Sequence, residues 1–307
     1  MINRFEVTIL GSSSALPTSH RNTTAQLVNH AERFFLLDCG EGTQIQLRRF
    51  KVKFFRINHI FISHLHGDHF FGLPGLLNTY NLLGRTCDLH IYGPESLQEF
   101  IEAIKKFILH HLSYELIFHA LNFSEKTLIY ENKLLNIYSF PVEHKIPTCG
   151  FLFEEKKLPR NIIKEAIDQY KIPIKAIHSI ENGADYLLPN GNIIPNNQIT
   201  VDSASPRKYA FCTDTAYNEN IIPIIKGSNL LYHEATFLNN METRAQETKH
   251  STAGQAGLLA QKSEVKKLML GHFSSRYKDF KLFKEQAAEK YDKEIIITHD
   301  GMTIVVT

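Results

Sequence analysis

Residues 61–72 read FISHLHGDHFFG, and no other stretch constrains the chain as strongly. His64, His66, Asp68 and His69 fall within six positions, directly after the apolar run HIFIS. That run predicts a strand, and alternate strand residues share a face, which would bring His64 and His66 together. Gly67 permits a sharp turn, and Asp68 and His69 can then face a second position. Imidazole with carboxylate suits zinc, and the same donors also accept manganese or iron. One ion would take His64 and His66 and a second Asp68 and His69. Both need further ligands from elsewhere in the chain.

Candidates stand at the ends of other apolar runs. His144 follows IYSFPVE, Asp214 follows YAFCT, and His272 follows KLMLG. A carboxylate at Asp214 has two oxygens and can bridge. The sum is seven ligands for two ions, with room for a water between them. Two ions about 3.5–4 Å apart activate such a water and clamp a phosphate or carbonyl oxygen. A purely structural zinc takes four protein ligands and no open position, which this set does not match. His30, His59, His90, His110 and His178 read as ordinary hydrogen-bonded histidines.

The rest of the chain is read around this cluster. Its 307 residues, 43% of them apolar, can bury one large core or two smaller ones. The 34 Lys and Arg nearly cancel the 32 Asp and Glu, which neither demands nor excludes a nucleic-acid partner. The densest basic stretch is RRFKVKFFR, with Arg48, Arg49, Lys51, Lys53 and Arg56, either a phosphate contact or a solvated face. Cys39, Cys87, Cys149 and Cys212 form no CxxC pair and read as reduced thiols. The N-terminus has no signal-peptide pattern, and no run approaches the roughly 20 apolar residues of a membrane span. A cytoplasmic location and no membrane partner are the expectations.

Strand-like runs (RFEVTILG, TTAQLVNH, RFFLLDCG, HIFISH, DLHIYGP, LLNIYSFPVEH, KYAFCTDT, NLLYHEATF, KKLMLGHFS, EIIITHDG) alternate with helix-like ones (GTQIQLRRF, GLPGLLNTYNLLG, ESLQEFIEAIKKFILHHL, STAGQAGLLAQKS) in both halves. Residues 152–205 differ: FEEKKLPRNIIKEAIDQYKIP precedes a Gly/Asn/Pro-rich run, which predicts an excursion from the core.

HLHGDH resembles the HxHxDH signature of the metallo-β-lactamase superfamily. That resemblance implies an α/β fold, an αββα sandwich carrying a hydrolytic metal pair. LGSSSALPTSHRN, LLDCGEGTQIQL, PVEHKIPTCGF, FCTDT, HEATF, KHSTAGQAG and LGHFSSRY narrow the match. They are similar, in order and over nearly the whole chain, to the short form of the ribonuclease Z family, the tRNA 3′-processing endonucleases. The resemblance implies one domain over 1–307, with an inserted arm at about 152–205 that grips tRNA, and a homodimer. It assigns His64, His66 and His144 to one Zn2+ and Asp68, His69 and His272 to the other, with Asp214 bridging; Mn2+ is the alternative ion. Asp68 is also the implied general base. His250 matches the proton donor to the departing 3′ oxygen, and Glu234 the carboxylate that orients it. A phosphodiester of precursor tRNA would be cut after the discriminator nucleotide, leaving a tRNA 3′-hydroxyl and a trailer 5′-phosphate.

The same resemblance places Arg21 and Asn22 in an active-site loop, and Ser274 can either donate to a phosphate or satisfy its own turn. Lys156, Lys157, Lys171 and Lys175, with Arg160 and Lys164, give the arm a basic side. The arm departs from the family pattern, with KIPIKAIHSIENGADYLL where a Gly-Pro pair and a Gly/Lys-rich turn are usual. Two other readings remain: a hydrolase of the same fold acting on small phosphodiesters, and a nucleic-acid-binding protein with structural zinc.

Overall fold

The structure, a computed structural model, describes residues 3–107 and 111–307. Residues 108–110 of the helix predicted over 95–112, His110 among them, therefore lie outside the described residues, and His111 and Leu112 are not helical. The first half supplies β1 (Phe5–Gly11), β2 (Ala25–His30), β3 (Arg33–Leu37), β4 (Ile57–Phe61), β5 (Leu89–Gly93), β6 (Leu116–Ala120), β7 (Thr127–Glu131), β8 (Leu135–Pro141) and β9 (Cys149–Glu155). Four two-residue strands follow, β10 (Asn161–Ile162), β11 (Tyr186–Leu187), β12 (Ile193–Ile194) and β13 (Thr200–Val201). The second half adds β14 (Lys208–Cys212), β15 (Leu230–Glu234), β16 (Lys267–Gly271), β17 (Glu294–Ile297) and β18 (Thr303–Val305).

Two seven-stranded sheets form, in the orders β18-β1-β2-β3-β4-β5-β6 and β17-β16-β15-β14-β9-β8-β7. Period-2 alternation explains how they stack. Val7, Val28, Phe35 and Phe61 point inward to meet Ile137, Phe151, Phe153, Tyr209 and Tyr232 of the second sheet. The intervening residues Leu27, Leu36, Ile60 and Ile91 point outward under Leu76, Leu77, Leu97 and Ile101 of helices Leu73–Leu82 and Glu95–Phe107. On the far side Ala210, Leu231 and Leu268 lie under Ala256 and Leu259 of helix Ala253–Lys262 and Phe283 of helix Lys281–Ala288. The result is the expected αββα sandwich.

In each sheet a parallel run, β3-β4-β5-β6 or β14-β15-β16-β17, carries the chain to one rim. Ligands gather outside the carboxyl ends of such strands because the loops there are free to vary.

The excursion begins later than the composition shift suggested, because β9 continues to Glu155 and pairs with β14 as far as Glu154–Lys208. The segment builds its own small core from Ala166, Ile172, Ile180 and Ile199, under helices Lys164–Tyr170 and Ile174–Glu181. Its strands pair only with each other, β10 with β13 and β11 with β12. Cys39, Cys149 and Cys212 are buried free thiols and Cys87 is exposed. No helix among the described residues is long and apolar enough to cross a membrane.

Candidate metal centre

The HLHGDH segment does its work beyond the strand. β4 ends at Phe61, so His64 and His66 meet through the loop 62–66 rather than by strand alternation, a correction to the sequence expectation. Gly67 opens the one-turn helix Gly67–Phe70, which carries Asp68 and His69. This turn is seated on the end of β3: the Cys39 N–H donates to the His69 carbonyl (2.7 Å) and the Gly72 N–H to the Cys39 carbonyl (2.9 Å). The approach is close enough that a Cβ on Gly72 would stand 2.0 Å from the Gly40 carbonyl oxygen.

All seven candidate ligands converge in two groups. His64, His66, His144 and Asp214 form one, and Asp68, His69 and His272 the other. Asp214 joins them: its Oδ1 is 3.2 Å from His69 Nε2 and 3.0 Å from His272 Nε2, while its Oδ2 is 3.5 Å from His64 Nε2 and 3.8 Å from His144 Nε2. Asp68 Oδ2 lies 3.2 Å from His69 Nε2 and 3.4 Å from His272 Nε2. Asp38, Asp214 and His272 all take left-handed backbone conformations (φ 55°, 47° and 57°). Non-glycine residues hold such φ values where surrounding contacts impose them, commonly at functional sites.

The hydrogen bonds behind the imidazoles fix their tautomers. The Ser63 hydroxyl donates its one proton to Asp38 Oδ2 (2.9 Å), so it accepts from His64 Nδ1–H (3.0 Å). His144 Nδ1–H donates to the Lys249 carbonyl (2.9 Å), which can only accept. His69 Nδ1–H donates to Asp38 Oδ2 (2.7 Å). The Thr236 hydroxyl donates to Glu234 Oε2 (2.6 Å) and therefore accepts from His272 Nδ1–H (2.9 Å). With Nδ1–H turned outward, each of the four rings directs its Nε2 to the centre, the arrangement that outer hydrogen bonds impose on metal-bound histidines.

This donor set fits a pair of cations. His66 Nδ1 is 3.0 Å from His64 Nε2 and 3.2 Å from His144 Nε2, so with neutral rings these three nitrogens share at most one proton. Donors bound tetrahedrally at 2.0–2.1 Å would stand about 3.3–3.4 Å apart. His69 Nε2 is fully buried and has no hydrogen-bond partner among the described residues.

Electrostatics agree. Burial pushes the Asp214 carboxyl up, but His272, His69 and His64 prevail and hold it well below the usual carboxylate range. Burial opposes charge on His272, yet Asp214 and Asp68 raise it to about 10, and the same carboxylates with Asp38 raise His69. Burial lowers His64 to about 3. A cation would displace the protons that the carboxylates otherwise hold on His69 and His272.

A third group brings Asp214 and His272 together with Glu234 and His250. Glu234 is not free to ligate. Its Oε1 accepts from the Thr215 N–H (2.7 Å) and His250 Nδ1 (2.8 Å), and its Oε2 from the Thr236 hydroxyl and the Ser251 N–H (3.2 Å). It orients His250 instead. Burial opposes charge on His250, and Glu234 overcomes it and raises the ring's pKa. The cap of the following helix is Thr252, which forms a capping box with Gln255; the Ser251 hydroxyl donates to the Thr215 carbonyl.

Asp68, His66, Asp214, His250, His272 and Ser274 line one open cleft of about 630 Å³. The remaining substrate candidates fall elsewhere. Arg21 lies over the Phe280 ring (4.0 Å) and donates to Ser12 Oγ and the Thr298 carbonyl, and Asn22 donates to Asp300. Both therefore brace their own loop. Lys156 pairs with Glu131 at the foot of the excursion, and Arg160 pairs with Asp202. Lys157, Lys164, Lys171 and Lys175 are exposed and carry no ion pair among the described residues. The sequence reading missed Asp38, Ser63 and Thr236 as supports of the ligands. The signal for Asp38 was present: DCG stops an apolar strand as abruptly as HLHGDH does.

Two ligand clusters sharing one carboxylate, at the rim of an αββα sandwich, define a metal-dependent hydrolase of the metallo-β-lactamase fold. Bacillus subtilis YhfI, a protein of that fold, superposes with a TM-score of 0.69 at 16% identity over 98% of this chain and 99% of its own, which speaks to the fold alone. Residues 5–158 match the family model described as Anti-Pycsar protein Apyc1, a match that ends before Asp214, Glu234, His250 and His272. Relatives over the full length decide the particular family. Ribonuclease Z of Bacteroides thetaiotaomicron is 48% identical over 99% of this chain and 96% of its own, and that of Porphyromonas gingivalis strain W83 is 44% identical over 98% of each. Human short-form tRNase Z superposes with a TM-score of 0.71 at 26% identity, covering 98% of this chain and 99% of its own. The chain belongs to the ribonuclease Z family.

Proposed function

We propose that the protein is a zinc-dependent endoribonuclease that removes the 3′ trailer from precursor tRNA. The observation that carries this reading is the pairing of the two-cation ligand set with the buried Glu234–His250 couple on one cleft, in a chain whose full length matches ribonuclease Z. We assign His64, His66 and His144 to one zinc, Asp68, His69 and His272 to the other, and Asp214 to both. When bound, the two cations lower the pKa of water and draw charge from a phosphoryl oxygen. Asp68 reaches the cleft and takes the proton from the attacking water. Glu234 holds His250 Nδ1–H and so directs Nε2 to the leaving oxygen, where it delivers a proton. Ser274 at the cleft wall donates to a phosphate oxygen.

The inserted segment is the arm that holds the tRNA away from the cleft. Its free cations Lys157, Lys164, Lys171 and Lys175 support this, as phosphate contacts supply sequence-independent affinity. We place the enzyme in the cytoplasm, as a homodimer. Ile45 and Leu82 support the dimer, because they stand 64% and 78% exposed beside one another on helices Thr43–Arg49 and Leu73–Leu82. Sedimentation of the purified protein checks the assembly, and a monomer at micromolar concentration would contradict it.

The test of function is incubation with a 3′-extended tRNA precursor and mapping of both product ends. A single cut after the discriminator nucleotide, with a 3′-hydroxyl and a 5′-phosphate, abolished by a chelator and by Asp68→Ala, is expected. Near-normal cleavage by Asp68→Ala overturns the assignment. Hydrolysis of a small phosphodiester without any cut in the precursor would favour a small-substrate hydrolase.

A further inference from the structure

The chain leaves the sandwich after Glu155 and re-enters it at Arg207, and these two residues grip each other. The Glu155 N–H donates to the Arg207 carbonyl (3.0 Å), which extends the β9–β14 ladder by one rung. The Glu155 carboxylate accepts from Arg207 three times more: Nε (2.9 Å) and the backbone N–H (2.9 Å) reach Oε2, and Nη2 (2.6 Å) reaches Oε1. His30 of β2, 1% exposed, binds the same Oε1 at 3.0 Å. The guanidinium also donates to the Val306 and Asn3 carbonyls (3.1 and 2.7 Å) and faces the Phe5 ring. One partly buried pair therefore ties both roots of the excursion to each other, to the opposite sheet and to both ends of the chain. It stands at the rim away from the ligand clusters, among the amino ends of β14 and β15.

The connection around it is slight. Lys156 N–H reaches the Leu134 carbonyl (2.8 Å), and the Ser203 hydroxyl reaches the Leu158 carbonyl (2.8 Å). Among the described residues no strand of the excursion joins either large sheet, and its apolar core is separate from theirs. A cavity of about 640 Å³, as large as the catalytic cleft, opens in the crook between excursion and body.

We propose that the Glu155–Arg207 pair, backed by His30, is a positioning device: it fixes the angle at which the arm projects and so the register between arm-bound tRNA and the catalytic cleft. The inference rests on the reading of the excursion as a tRNA-binding arm. Two contacts on one ligand reinforce each other only when the link between them holds the right separation; a loose root lowers the effective concentration of the second contact. The pair acts through the arm and touches no reacting atom.

The test uses Arg207→Lys, which keeps the charge but cannot bind the carboxylate through two nitrogens, and Glu155→Gln as an independent second variant. Each is compared with wild type and with Lys171→Glu/Lys175→Glu in the full chain. Spin labels at Ile174→Cys and Lys278→Cys, with exposed Cys87→Ser, read the arm's direction. A narrow distance distribution in the parent that broadens in both root variants is expected. The KM for precursor tRNA should rise about tenfold with kcat and the hydrolysis of bis(p-nitrophenyl) phosphate unchanged. Combined with the lysine reversals, the root variants should add little. Unchanged distance distributions, or loss of small-ester hydrolysis in step with tRNA cleavage, overturn the proposal. If the lysine reversals alone leave the KM unchanged, the arm reading itself fails, a result separate from that of the root variants.

Discussion

Replacing Asp38 by Asn changes one atom and should disarm a ligand it never shares with a cation. Asp38 is fully buried and accepts three hydrogen bonds, from the Ser63 N–H at Oδ1 (2.8 Å) and from the Ser63 hydroxyl and His69 Nδ1–H at Oδ2. Asn has one acceptor oxygen. The Ser63 N–H can only donate, so the amide oxygen must stay on that side and the NH2 must face His69. His69 can answer only by becoming an acceptor at Nδ1, which moves its proton to Nε2, the atom 3.2 Å from both Asp68 and Asp214. The ring then presents a proton where a ligand lone pair is needed. Losing a hydrogen bond to a charged group costs about 1.5–3 kcal/mol, and loss of an outer-sphere partner of a metal ligand lowers affinity about 10–100-fold. Competition against a chelating dye should show one zinc of Asp38→Asn weakened by that factor, with an unchanged circular dichroism spectrum. Two zincs bound as tightly as in wild type would refute the tautomer argument.

Further outcomes follow from the same geometry. His250→Ala should lower kcat for precursor tRNA about 10²–10⁴-fold, the usual range for a lost general acid, with two zincs still bound by elemental analysis; loss of metal would make His250 a ligand instead. Acid stability should depend on His59. Burial, with His90 and His119 close by, lowers its pKa to about 3, and its ring stacks on His90 at 4.9 Å. Because the folded value lies below the unfolded value of about 6.5, the unfolded chain binds more protons between those limits. Stability is therefore full above about pH 6.5 and falls as the pH drops, by at most about 1.4 kcal/mol per pH unit from this ring. Urea midpoints at pH 7.5 and pH 5 should diverge less in His59→Phe than in wild type, and equal divergence would contradict this.

The candidate ligands were legible because cation-binding side chains at the ends of apolar strands have no other reason to cluster there. His144, Asp214 and His272 each interrupt a strand as sharply as HLHGDH does, and the fold brings those interruptions to one rim. The supports were less legible. Asp38 stops its strand as abruptly as the ligands do, but its bond to His69 spans 31 positions and that of Thr236 to His272 spans 36, while Ser63 shows only that it precedes His64. The basic residues show the opposite failure. Arg21, Lys156 and Arg160 look free in a sequence, but Phe280, Glu131 and Asp202 engage them in the fold. Charge is visible in one dimension, whereas its neutralisation requires three.

One carboxylate, Asp214, is expected to tie two cations into a single hydrolytic centre. Anomalous diffraction at the zinc edge from a zinc-soaked crystal tests it most directly. Two peaks are expected, one about 2.0–2.2 Å from His64, His66 and His144 donors and one at the same distance from Asp68, His69 and His272, with an Asp214 oxygen bonded to each. A single peak, or two without Asp214 between them, would contradict it.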